Sequence, residues 1–185
     1  KDEAAIQTIL QPMDEWETDN AVWGKNYPRE YASYMKSKDD TTQTKYGGSY
    51  PRNYLEETPA NVILFAGYGF SKEYLQARGH YYAVEDAWNT ARTGEKSPAT
   101  CWTCKSPDVP RMMNEMGVAE FYASKFVDLK DEIKHPIGCR DCHDPKTMNL
   151  TITRPALVEA FERQGKKMED FSHQEMRSLV CAQCH

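Results

Sequence analysis

Apolar residues recur at helical spacing in several separate stretches of the chain, and each stretch has its own start or stop signal. Val84, Ala87, Trp88 and Ala91 share one face of a helix expected over 81–92, with Gly94 as its stop. Ser106 as cap and Pro107 at the first position open a second helix, whose face is Val109, Met112, Met113 and Met116 and whose end is Gly117. Phe121, Tyr122 and Phe126 extend the helical pattern. Pro155 to Gln164 forms a further helix, with Leu157, Ala160 and Phe161 inward and Gly165 as stop. Ser172-His173-Gln174-Glu175 has the spacing of a capping box and starts a helix running toward the C-terminal residues.

Strand signals are weak. Thr151-Ile152-Thr153 is a short extended stretch and Asn61 to Phe65 a short apolar run, but nothing alternates long enough for a large sheet. Residues 1–60 are charged, Tyr-rich and interrupted by Pro28, Pro51 and Pro59, with loops at Asp39-Asp40-Thr41-Thr42 and Gly47-Gly48. The predicted fold class is therefore mainly α with much irregular structure. Residues 1–50 form a wrapping segment and 51–185 the core of one unit.

Composition narrows the function. The chain has 185 residues and a formal charge of -5, with no basic block or stripe, which argues against nucleic acid as a partner. No apolar run approaches the length of a membrane span. Residues 1–10 show no charged segment followed by a long apolar one, so the chain reads as mature, with any export signal removed.

All six cysteines lie in three Cys-x-x-Cys pairs. Cys101 and Cys104 are followed by Lys105, Cys139 and Cys142 by His143, and Cys181 and Cys184 by His185. Cys-x-x-Cys-His is the attachment signature of c-type haem: two thiols form thioethers to the macrocycle and the next residue reaches its iron. Two such motifs and a lysine variant predict three covalent haems. The chain would then wrap around closely packed haems as a multihaem cytochrome c. Covalent haem c also implies assembly outside the cytoplasm. A zinc module is the competing reading, since six cysteines and two histidines could make two four-ligand sites that leave Lys105 idle.

Lys105 points to catalysis. Only a neutral amine can ligate iron, and lysine titrates near 10.4, so deprotonation at pH 7 costs roughly 4–5 kcal/mol. A simple electron carrier has no need of that handicap. An iron with an open sixth position does, because axial ligand and distal pocket set haem reactivity. His80, His135 and His173 are the histidines left over as second axial ligands for the other haems.

With these residues laid out, the chain resembles the pentahaem cytochrome c nitrite reductases, the ammonia-forming periplasmic enzymes. The resemblance rests on Cys101-Trp102-Thr103-Cys104-Lys105 with Ser106-Pro107-Asp108, on Ile63-Leu64-Phe65-Ala66-Gly67-Tyr68, Arg78-Gly79-His80 and Arg92-Thr93-Gly94, and on Thr153-Arg154-Pro155. It covers residues 50–185, and the first fifty contribute little. It implies that Lys105 is the proximal ligand of a catalytic haem and Arg92 the arginine that attracts nitrite. His80 would pair with His185 on the third haem, leaving His135 and His173 at the surface.

The family further implies five haems in all, calcium, homodimers, a periplasmic location and a membrane-associated quinol-oxidising cytochrome as electron donor. Its chains are much longer, and its calcium ligands, catalytic tyrosine and distal histidine lie beyond the position of His185. The chain is thus expected to be the N-terminal portion of a longer polypeptide. Two further readings stay open: an electron-transfer cytochrome without catalysis, and a multihaem oxidoreductase acting on hydroxylamine or another nitrogen oxide.

Overall fold

A computed structural model describes residues 11–185; the reading of residues 1–10 as free of an export signal lies outside them. The described residues form short helices joined by long irregular connections. In chain order these are α1 Asn20–Asn26, α2 Pro28–Lys36, α3 Tyr54–Glu57, α4 Ala60–Leu64, α5 Ala83–Asn89, α6 Asp108–Met116, α7 Val118–Ala123, α8 Cys139–Cys142, α9 Pro155–Glu162 and α10 His173–Ala182. The one named ladder among them is a hairpin of β1 Gln43–Thr44 and β2 Gly47–Gly48, so Gly47-Gly48 is a strand and not only a loop. No described helix is long and apolar enough to cross a membrane.

Local chemistry explains the boundaries. The Asp19 side chain caps α1 by accepting from the Ala21 N–H. At α10 the capping box forms as expected: Ser172 accepts from the Glu175 N–H, and the Glu175 carboxylate accepts from the Ser172 N–H at 2.8 Å. Gly117 ends α6 with φ 95°, a conformation that excludes most side chains.

Three expectations are displaced. The helix over 81–92 begins as a 3-10 turn at His80–Tyr82 and stops at Asn89, because Thr90 turns extended. Met116 is exposed rather than inward, as is Ala160 on α9. Thr151-Ile152-Thr153 forms no strand; instead Leu150 makes a single bridge to His143.

The apolar core lies against the first motif. Trp102 is fully buried, stacks on Phe126 at 4.1 Å and 4°, and donates its indole N–H to the Phe126 carbonyl at 3.0 Å. Trp88 packs edge-on against both rings. Val109, Met112 and Met113 of α6 and Phe121 of α7 complete the cluster. Burying these side chains contributes on the order of 1.5–3 kcal/mol each. The tight packing gives the 3-10 turn Ala99–Trp102, and hence Cys101 and Cys104, a rigid support.

Trp23 of α1 is also buried, at 1% exposure, and Asn20 accepts from the Cys139 N–H at 2.9 Å. Residues before position 50 therefore touch the second motif directly. The Arg140 guanidinium adds a link by donating to the Glu15 carbonyl at 2.8 Å.

Candidate functional site

One cavity of about 660 Å³ gathers chemistry from all three motifs. Its wall includes Cys104 and Lys105, then Cys142, then Cys181, Cys184 and His185, with His80 and Arg92 on other elements. The volume lies within the range of sites that bury a large organic ligand. All six cysteines are free thiols. In α8 one helical turn places Cys139 and Cys142 on the same face, since positions i and i+3 are neighbours on a helix. In α10 the third pair straddles the helix end, which sets His185 just past it.

Burial pushes the thiols of Cys139 and Cys142 up to about 11 each. The thiols of Cys104 and Cys184 act on each other, which lowers the former and raises the latter. Among the described residues, no three of His, Cys, Asp and Glu gather around one point as a metal site requires. The tetrahedron of the zinc reading is not formed by them.

His143 is aimed by its surroundings. Its Nδ1 lies 2.9 Å from the carbonyl of Met148, which can only accept, so Nδ1 carries a proton there and Nε2 is the nitrogen left for another partner. Met148 adopts φ 59°, uncommon for a side-chain-bearing residue, and this conformation belongs to the loop that presents its carbonyl. Asp144 holds that loop by accepting from the N–H groups of Lys146 and Thr147.

His80 and His185 face each other with ring centroids 6.4 Å apart and planes at 30°. Two imidazoles each about 2 Å from a shared metal, with ring radii of about 1 Å, put centroids about 6 Å apart. The separation of the two rings is compatible with a metal held between them. Burial lowers the pKa of His80, partly opposed by the charge of Asp141, which favours the neutral ring a metal needs. Gly79 precedes it with φ 89°, and Arg78 ties the turn to α5 through Asp86 at 3.0 Å and Glu85 at 2.7 Å.

Arg92 sits in the turn after α5, not at a helix C-terminus. Its N–H and Nε both donate to Thr90 Oγ1 at 3.2 Å, and its guanidinium lies 5.0 Å from the Phe70 ring centre. Gly69 leaves room for it: a Cβ there would come within 3.2 Å of the arginine side chain. Among the described residues Arg92 makes no ion pair within 4.0 Å, so its charge is available to an anion.

His173 is exposed, as expected. His135 is not a simple surface residue. It is half-buried, with Nδ1 3.1 Å from both carboxylate oxygens of Asp108 and 3.0 Å from Thr18 Oγ1. Asp108 also accepts from the N–H groups of Lys134 and His135, at 2.9 Å each. Burial opposes the charge on Asp108, but the His135 contacts and these N–H groups outweigh it and hold the carboxyl at about 2.

Sequence reasoning assigned no role to the buried trio of Arg154, Asp141 and Gln183. Arg154 and Asp141 form an ion pair at 1% and 2% side-chain exposure. Gln183 donates to the Asp141 carbonyl at 2.7 Å and accepts from the Thr153 and Arg154 N–H groups at 2.9 and 3.2 Å. The signal was available: Asp141 and Gln183 stand between paired cysteines, where a buried polar residue needs a partner.

Comparison with known proteins is consistent throughout. A family described as cytochrome c552 matches residues 19–185, so the similarity begins well before position 50. The chain is 53% identical over 176 residues to a cytochrome c-552 of Parabacteroides distasonis, covering 91% of this chain and 36% of that one. It is 51% identical over 194 residues to a cytochrome c-552 of Porphyromonas gingivalis, covering 98% of this chain and 39% of that one. The solved cytochrome c nitrite reductase of Desulfovibrio desulfuricans superposes with a TM-score of 0.86 at 34% identity, over 95% of this chain and 41% of that chain; two calcium sites are described for that protein. The chain thus spans well under half the length of the curated relatives it matches.

Proposed function

The chain belongs to the cytochrome c552 family, and on that footing we propose that it binds three c-type haems and forms the lysine-ligated, nitrite-reducing part of a multihaem reductase that makes ammonium. Cys101 and Cys104 with Lys105, Cys139 and Cys142 with His143, and Cys181 and Cys184 with His185 would hold the three groups. When bound, a haem supplies an iron that takes up and passes on single electrons and, where one axial position is open, can accept a small anion.

The chain's own residues divide the remaining work. Lys105 would hold the iron of the first group through its amine, and that iron would be the one that accepts substrate. Arg92 brings an always-charged guanidinium into the same cavity, where it attracts nitrite and stabilises negative charge that develops during reduction. His80 and His185 would together hold the iron of the third group, and a group so held would be kept for electron transfer rather than for substrate. The carrying observation is that Lys105, Arg92 and thiols of all three motifs line one cavity.

The same reading takes 1–50 as a wrapping segment and 51–185 as a three-haem unit within a pentahaem whole. Calcium, a homodimer, a location outside the cytoplasm and a quinol-oxidising cytochrome as donor come with it. The test is Lys105→Ala in the haem-loaded protein, with haem counted by intact mass. Nitrite turnover should fall by at least a hundredfold while the spectra of the histidine-ligated haems persist. Parent-level turnover would overturn the proposal. Retained electron transfer without nitrite binding in the parent protein would favour a carrier cytochrome, and preference for hydroxylamine would favour the related oxidoreductases.

A further inference from the structure

Arg154 lies far from Arg92 and Lys105 in sequence, yet its guanidinium touches the backbone on both sides of the lysine. Nε donates to the Thr103 carbonyl at 3.0 Å and Nη2 to the Ser106 carbonyl at 3.0 Å. The stretch between these two acceptors is Cys104-Lys105. Nη1 donates to Thr153 Oγ1 at 2.7 Å and pairs with the Asp141 carboxylate. Asp141 stands inside the second motif, where its other oxygen accepts from the Gly138 N–H at 2.8 Å. Gln183, inside the third motif, binds the Asp141 carbonyl and the Arg154 N–H. One buried arginine therefore joins all three motifs.

The location matters because of the ligand type. A histidine following a Cys-x-x-Cys pair has a short, stiff side chain, whereas lysine reaches its target through a flexible four-carbon stem. A flexible ligand is held well only if its Cα is fixed. The two carbonyls on either side of Cys104-Lys105 are where a clamp would do that, and the clamp is the planar fork whose five donors can serve separate acceptors at once.

We propose that Arg154 is a positioning residue for Lys105. It pins the backbone that presents the lysine and, through Asp141 and Gln183, ties that backbone to the other two motifs. The inference rests on the reading of Lys105 as an axial ligand.

The experiment compares haem-loaded Arg154→Lys, Arg154→Gln, Gln183→Met and Lys105→Ala. Intact mass counts the haems, electron paramagnetic resonance reads the ligands of each iron, and redox titration reads each midpoint. Both Arg154 variants should keep the full haem count and the bis-histidine signals. The signal of the lysine-ligated haem should shift toward that of Lys105→Ala, with a displaced midpoint for that haem alone. Arg154→Lys should not rescue, because one ammonium cannot span both carbonyls and Asp141.

Parent-like spectra in both Arg154 variants would overturn the inference, as would equal disturbance of every haem. If neither Arg154 variant acquires haem, Gln183→Met decides. A shift at the lysine-ligated haem supports the link between motifs; a change confined to the His185 haem, or loss of all haems, overturns it. If Lys105→Ala itself leaves every signal unchanged, the ligand assignment has failed, independently of Arg154.

Discussion

His80 and His185 are far apart in the sequence, yet their ring centroids lie 6.4 Å apart in the wall of the large cavity. His80 follows a glycine turn anchored to α5, and His185 follows the end of α10. The two elements are remote in the chain, so the meeting of the rings is a product of the tertiary fold.

His80→Ala should remove one ligand without removing an attachment point. The covalent haem count should stay unchanged by mass spectrometry. One low-spin haem should become high-spin and bind added imidazole. An unaltered spectrum would mean that His80 lines the cavity without ligating.

Arg92→Ala should weaken the handling of nitrite without affecting haem content. Loss of a preorganised charge at a reacting anion typically costs on the order of 10² in rate. Steady-state kinetics should show a raised KM and a lowered kcat, and Arg92→Lys should restore only part because the fork is lost. Wild-type constants in Arg92→Ala would remove it from the site.

Gly138→Ala should destabilise the segment leading into the second motif. A Cβ there would sit 1.9 Å from Asn20 Oδ1, and that oxygen is held by the Cys139 N–H. Overpacking of this kind costs about 1–3 kcal/mol. Thermal unfolding should show a lowered midpoint, and adding Asn20→Ala should recover part of it. A midpoint equal to the parent's would show that α1 shifts freely.

The Asp108–His135 pair should make stability depend on pH in two windows. The Asp108 carboxyl is held at about 2 against an ordinary 3.8. A depressed carboxyl stabilises the folded state above its unfolded pKa, and that share, about 2 kcal/mol, is lost as pH falls from about 4 through about 2. His135 is raised, chiefly by its hydrogen bond to Asp108. A raised imidazole stabilises below about 6.5 and loses its share as pH rises through the folded pKa. Its side chain is 36% exposed, so solvent screening limits that share to about 1 kcal/mol or less. Denaturant titrations of Asp108→Asn should show a deficit at pH 6 that narrows toward pH 2. His135→Ala should cost more at pH 5 than at pH 8. Flat differences across pH would dismiss the pair as a source of stability.

Much of the candidate site is legible in the sequence. The three cysteine pairs, Lys105, His143 and His185 are local patterns, and a spacing of three or four residues has nearly the same geometric meaning in any fold. The capping box at Ser172 and the stops at Gly117 and Gly165 are equally local, because backbone sterics and hydrogen bonding within one turn decide them. The helix over 81–92 was overextended because periodicity continued past Asn89 while Thr90 had already turned extended.

Long-range pairing was not legible. Arg154 reaches Thr103 across 51 positions, and Gln183 reaches Asp141 across 42. Nothing in the sequence around His135 signals burial, yet Asp108, 27 positions away, lies against it. A polar residue looks the same in sequence whether it meets water or a buried partner. The sequence by itself determined the spacing of the three thiol pairs and the lysine or histidine that follows each. Which of them face one another was decided by tertiary structure alone, because burial of Trp102, Phe121 and Trp23 sets where the connecting segments run.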